Sequence, residues 1–126
     1  MTPANGRPSK PRVLVVDDER VIADTLATIL NQNGFEAFAV YTGTAAVDSA
    51  RSSHPDLVIS DVIMQDMNGI EAAIRIRQML PACKILLFSG QAATADLLEK
   101  ARAQGHQFEI LAKPVHPQDL LAKLKG

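Results

Sequence analysis

Three carboxylates, one hydroxyl and one ammonium group stand where they could share a single chemistry. Asp17 and Asp18 follow the apolar run 13–16, and Asp61 follows Leu57-Val58-Ile59-Ser60. Ser89 follows the run 85–88, and Lys113 follows Ile110-Leu111-Ala112. Brought together, the carboxylates repel: at about 4 Å and an effective dielectric near 20, each pair costs roughly 4 kcal/mol. Such a cluster raises its own pKa values unless a cation neutralises it. All the side-chain donors are oxygens and they are few, which suits magnesium, an ion that completes its octahedron with water, backbone carbonyls and phosphate oxygens. Beside that ion Asp61 is a candidate nucleophile for a phosphoryl group. Lys113 and Ser89 are then a counter-charge and a hydrogen-bond donor for its oxygens, since phosphoryl transfer depends chiefly on positioning and charge neutralisation.

These residues need elements that deliver them to one edge. Apolar runs at 13–16, 37–40, 57–59, 85–88 and 110–112 have the length and branching of strands buried on both faces. Between them lie segments of helical spacing. The first starts near Arg20, carries Val21, Ile22, Leu26, Ile29 and Leu30, and stops at Asn33-Gly34. A small, alanine-rich second helix spans 44–53. The third follows Asn68-Gly69 with Ile70, Ala73, Ile74 and Leu80, and Pro81 ends it. The fourth bears Leu97, Leu98 and Ala101 before Gly105, and the fifth starts near Pro117 with Leu120, Leu121 and Leu124. Alternating strands and helices predict an α/β sandwich around a parallel sheet. In open parallel sheets, sites form beyond the carboxyl ends of the strands, where all five candidate residues fall.

Composition agrees with a single domain. The chain has 126 residues, 47% hydrophobic and 21% charged, with a formal charge of -1. That balance gives no electrostatic reason to expect direct nucleic-acid or anionic-membrane binding. The apolar runs are far shorter than the roughly 20 residues of a membrane-spanning helix. Residues 1–11, with three prolines and no periodicity, read as a disordered leader, and 12–126 as the folded domain. The lone Cys83 fits a reducing cytoplasm and a minor packing role.

The acidic pair after Val-Leu-Val-Val, the segment Asp61-Val-Ile-Met-Gln-Asp-Met-Asn-Gly69, Ser89 after one strand and Lys113-Pro114 after another together resemble the response-regulator receiver domain of bacterial-type two-component signalling. The resemblance covers about 12–125. It implies the flavodoxin-like (βα)5 three-layer sandwich with strand order 2-1-3-4-5. It implies that Asp61 accepts a phosphoryl group from a histidine kinase or phosphotransfer protein. Asp18 would bind Mg2+ directly, Asp17 chiefly through water, and the backbone carbonyl of Ile63 would be a further ligand. Ser89 and Lys113 would bond the phosphoryl oxygens, and Lys113-Pro114 would be a cis peptide. The domain would be a switch, catalysing only its own phosphorylation and dephosphorylation. A downstream effector would read the face of the fourth helix, fifth strand and fifth helix, and a weak homodimer fits the same pattern.

Three departures bear on that reading. The family's usual proline four residues after the phosphoacceptor is Gln65, which predicts a looser loop. The usual aromatic switch position holds Ile110, with Phe108 two residues earlier. The stretch before the fifth strand, near 104–107, is about two residues longer than is common. Ordinary readings stand beside the sharp ones: Glu19 as a surface first-turn residue, Asp66 as an exposed loop residue, and His54, His106 and His116 as surface residues without ligand spacing. Two other functions stay open. A magnesium-dependent phosphohydrolase would want a second acid where Ile63 stands, and a degenerate receiver would act only as a protein-binding module.

Overall fold

A computed structural model describes residues 10–90, 94–113 and 115–125. The leader expected at 1–11 lies almost wholly outside the described residues, as does Pro114 and hence the expected cis peptide. Five strands alternate with five helices: β1 Arg12–Val16, α1 Arg20–Asn31, β2 Glu36–Val40, α2 Gly43–Ser53, β3 Leu57–Asp61, α3 Gly69–Met79, β4 Lys84–Ser89, α4 Thr94–Ala103, β5 Glu109–Ala112 and α5 Pro117–Lys125. All pairings are parallel, and the order is β2-β1-β3-β4-β5. This is the predicted flavodoxin-like arrangement.

Side-chain alternation along the central strands explains the three layers. Val13, Val15, Ile59, Leu86 and Phe88 point to one face, where Ala23, Leu26, Ala27 and Leu30 of α1 and Leu120 of α5 cover them. Leu14, Val16, Val58, Ile85 and Leu87 point to the other, under α2, α3 and Ala101 of α4. Each fully buried valine or leucine contributes about 1.5–3 kcal/mol relative to exposure.

Details of the predicted stripes differ. Val21 is 79% exposed, while Ala23 and Ala27 take the buried positions of α1. In α3, Ile76 is buried, whereas Leu80 caps the helix end. The outer strand β5 is not buried on both faces: it has one neighbour, and Ile110 and Ala112 face solvent. Asn68 caps α3 as its side chain accepts from the Glu71 amide at 2.8 Å, and Thr42 caps α2 from the same position, through the Ala45 amide at 2.9 Å.

Candidate functional site

The carboxyl ends of β1, β3 and β5 deliver an acidic cluster and its counter-charge. Asp17 follows β1 and is fully buried, Asp18 beside it is exposed, and Asp61 ends β3 and is buried. One carboxylate oxygen from each lies within 4.8 Å of the others. The Lys113 ammonium reaches in from beyond β5 and meets Asp61 Oδ2 at 2.7 Å. Burial pulls the Lys113 pKa down, but the hydrogen bond to Asp61 and the charges of Asp61, Asp17 and Glu19 outweigh it and leave the value raised. Its charge is thereby held firmly.

Asp17 is in the opposite position. Its Oδ1 accepts from the Glu19 amide at 2.9 Å, but its buried Oδ2 has no hydrogen-bond partner among the described residues. Burial, above all, raises its pKa; the Asp61 and Asp18 charges add to this, against the Glu19 amide and Lys113. A buried carboxylate oxygen without a donor is costly, and a cation, or water held by one, is the group that would satisfy it. The donor set therefore fits magnesium: three carboxylates each bring a hard oxygen to one place, Asp17 also carries an orphaned oxygen, and Asp18 is open to solvent.

Two glycines permit the approach of backbone and side chain. A Cβ at Gly69 would lie 2.0 Å from the Asp61 carbonyl oxygen, and one at Gly90 would lie 2.8 Å from Lys113 Cβ. Gly69 thus lets α3 start directly against the Asp61 backbone, and Gly90 lets Lys113 lie across the end of β4. Ile63, whose carbonyl is the remaining expected ligand, is 43% exposed, and its amide donates to Asp61 Oδ1 at 3.3 Å. Ser89 is half-buried at the end of β4, and its carbonyl accepts from the Lys113 amide at 3.2 Å. A cleft of about 510 Å³ opens beside Lys113, lined by Ile22, Leu26, Phe88 and Val115 among others.

Sequence reasoning missed one residue. Asp66 is exposed, as expected of a loop residue, but its carboxylate gathers three donors from the start of α2. The Thr44 and Gly43 amides pull its pKa down to about 2. The only hint in the sequence was the run of Thr42, Gly43 and Thr44 opening a helix, and nothing local pairs it with Asp66, 22 residues away. The departure near 104–107 also has a visible partner: Arg77 lies over the Phe108 ring at 4.3 Å and donates to the Gln107 carbonyl at 2.8 Å.

Known proteins share this arrangement. Residues 13–125 match the response regulator receiver domain. The probable transcriptional regulatory protein TcrX of Mycobacterium tuberculosis is 30% identical over 126 residues, all of this chain and 52% of that protein. The transcriptional regulatory protein CreB of Escherichia coli is 31% identical over 113 residues, 90% of this chain and 48% of that protein. The chain thus spans about half the length of the curated relatives it matches. Among solved structures, a CheY-like receiver domain protein from Methanospirillum hungatei superposes with a TM-score of 0.83 at 27% identity, covering 93% of this chain and 92% of that one. Chemotaxis protein CheY4 of Vibrio cholerae gives 0.81 at 28% identity, covering 93% and 98%. With its fold, its acidic cluster and these relatives in agreement, the chain belongs to the response regulator receiver domain family.

Proposed function

We propose that this domain is a phosphorylation switch in which Asp61 is the phosphoacceptor and Mg2+ the required ion. The observation that carries the reading is the pairing of Asp61 with Lys113 at 2.7 Å beside the orphaned oxygen of Asp17. Asp17, Asp18, Asp61 and the Ile63 carbonyl would hold the ion. Bound there, it supplies positive charge against the oxygens of a transferring phosphoryl group. The chain's own residues do the rest. An Asp61 oxygen attacks phosphorus; the bond from phosphorus to the donor's histidine nitrogen breaks, and that nitrogen keeps the electron pair. The product is an aspartyl phosphate, whose negative oxygens take over Lys113 from the carboxylate. Ser89, at the adjacent strand end, donates to a second oxygen. Hydrolysis by water returns the free carboxylate, so the domain is a switch rather than an enzyme acting on other molecules.

A histidine kinase or phosphotransfer protein is the donor we assign, with the exposed Val21 and the apolar cleft beside Lys113 as its footing. The output face is that of α4, β5 and α5, where a groove of about 320 Å³ is lined by Leu98, Arg102, His106, Phe108 and Ile110 among others. Phosphorylation would shift the population of that face between two states, which requires contacts made to the phosphoryl group in one state only. No helix among the described residues is long and apolar enough to cross a membrane; a cytoplasmic setting belongs to the proposal, as does the division into leader (1–11) and domain (12–126). No observation favours the phosphohydrolase or the phosphorylation-independent binding module.

Intact mass after incubation with magnesium and acetyl phosphate tests the proposal. A labile gain of about 80 Da, one phosphoryl group, that needs magnesium and is lost in Asp61→Asn is the expected result. No gain with any small-molecule or protein donor would overturn it.

A further inference from the structure

The loop that follows Asp61 is fastened at both ends. The Val62 amide donates to the Phe88 carbonyl at 3.2 Å, and the Gly69 amide donates to the Val62 carbonyl at 2.7 Å. Inside this closed loop, Gln65 leaves the backbone free where the family carries a proline, so φ is not fixed there by a ring. The next residue supplies a restraint of another kind. Asp66 Oδ1 accepts from the Gly43 amide at 2.9 Å, and Oδ2 accepts from the Thr44 amide at 3.0 Å and the Thr44 hydroxyl at 2.8 Å. Three donors on one carboxylate at a helix N-terminus make a charge-assisted tether between separate elements. The tethered loop also carries Ile63, whose amide reaches Asp61 Oδ1 at 3.3 Å, near the long end of hydrogen-bonding range. A small displacement of the loop would break that contact and move the Ile63 carbonyl with it.

We infer that Asp66 is a positioning residue for the Asp61 chemistry: it fastens the 62–69 loop to the start of α2 and so holds Ile63 against the phosphoacceptor. The inference rests on the phosphoacceptor reading given above. It assigns to a side chain the restraint that a proline would supply covalently. Asp66 bonds to Gly43 and Thr44 and lies outside the Asp17, Asp18 and Asp61 cluster, so its loss would act through the placement of Ile63. Residues that orient metal ligands from behind are commonly worth about 10- to 100-fold in affinity, and a backbone carbonyl set by a loop belongs at the low end.

The test is a magnesium titration of the phosphorylation rate, read by intact mass with acetyl phosphate, for the wild type, Asp66→Ala, Asp66→Asn and Thr44→Ala, with thermal unfolding of each alongside. Asp66→Ala is expected to raise the half-saturating magnesium concentration about tenfold, with the rate at saturating magnesium changed by less than about twofold. Asp66→Asn, which keeps an acceptor for Gly43, falls between Asp66→Ala and the wild type. Thr44→Ala, which removes one donor from the opposite side, shifts the curve in the same direction by less, and carries the comparison if Asp66→Ala does not fold. A tether that only stabilised the fold would lower the unfolding temperature and leave the magnesium curve unmoved. That result in Asp66→Ala, or in Thr44→Ala should it stand in, overturns the inference alone. A wild type that takes up no phosphoryl group overturns the phosphoacceptor reading, and this inference with it.

Discussion

Asp17→Asn is expected to stabilise the metal-free fold while weakening its response to magnesium. In the wild type Asp17 shares a space less than 4.8 Å across with two other carboxylates. At that separation and an effective dielectric near 20, one like-charge pair costs roughly 3.5 kcal/mol. Asp18 is exposed and its share is screened, and Lys113 returns part of the Asp61 share, leaving a net penalty of about 1–2 kcal/mol. Asparagine removes the charge, keeps an oxygen for the Glu19 amide, and puts an NH2 where Oδ2 now lacks a partner. The sign with pH follows from the raised pKa. A carboxyl that binds its proton more tightly when folded contributes stability below its ordinary 3.8, and that contribution is lost as pH rises through the raised value. The advantage of asparagine should therefore be near zero at the acid end and full at pH 7. Urea unfolding with a chelator at pH 7 should show a midpoint higher by roughly 0.5–1 M. Magnesium at 100 times its dissociation constant should add about 2.7 kcal/mol to the wild type and markedly less to the variant. A variant less stable than the wild type in chelator at pH 7, or equally stabilised by magnesium, would refute the reasoning.

Two further outcomes are expected. Gly69→Ala places a Cβ 2.0 Å from the Asp61 carbonyl oxygen, so backbone must move; a loss of about 1–3 kcal/mol in chemical unfolding should accompany slower phosphorylation, and an unchanged midpoint would contradict the close approach. Cys83 is buried, and desolvation first, with the Asp56 charge, pushes its thiol up to about 11, so the native protein should resist a thiol reagent at pH 8 and react fully in denaturant; fast labelling of the folded protein would show the site to be open.

The repeating strand and helix pattern was readable because central strands buried on both faces have no choice of residue, and the residues at the ends of β1, β3, β4 and β5 stand just past such runs. The candidate site was legible for the same reason, since Asp17 and Lys113 directly follow their strands and Asp61 and Ser89 end theirs. What sequence could not supply was the side of each helix that wins the core. Val21 is more apolar than Ala23, yet Ala23 shares the helix face of Leu26, Ala27 and Leu30 and is buried, while Val21 faces outward. The edge position of β5 was likewise invisible in the run Ile110-Leu111-Ala112, because burial there depends on a neighbour that does not exist on one side. Asp66 escaped notice since its partners, Gly43 and Thr44, are brought to it by the packing of α2 beside α3 and by no local spacing.

The chain emerges with its acids first and its ammonium last. Lys113 comes 52 residues after Asp61 and enters with the outermost strand, which among the described residues pairs only with β4. A partly folded chain that had joined β1 to β3 before β5 docked would hold the three carboxylates together without Lys113. Docking of β5 relieves that imbalance, so a local charge interaction rewards a step that otherwise carries the loop-closure cost of long-range pairing. The acidic cluster thereby favours completion of the sheet, and a divalent ion arriving before β5 would lessen the urgency of its docking.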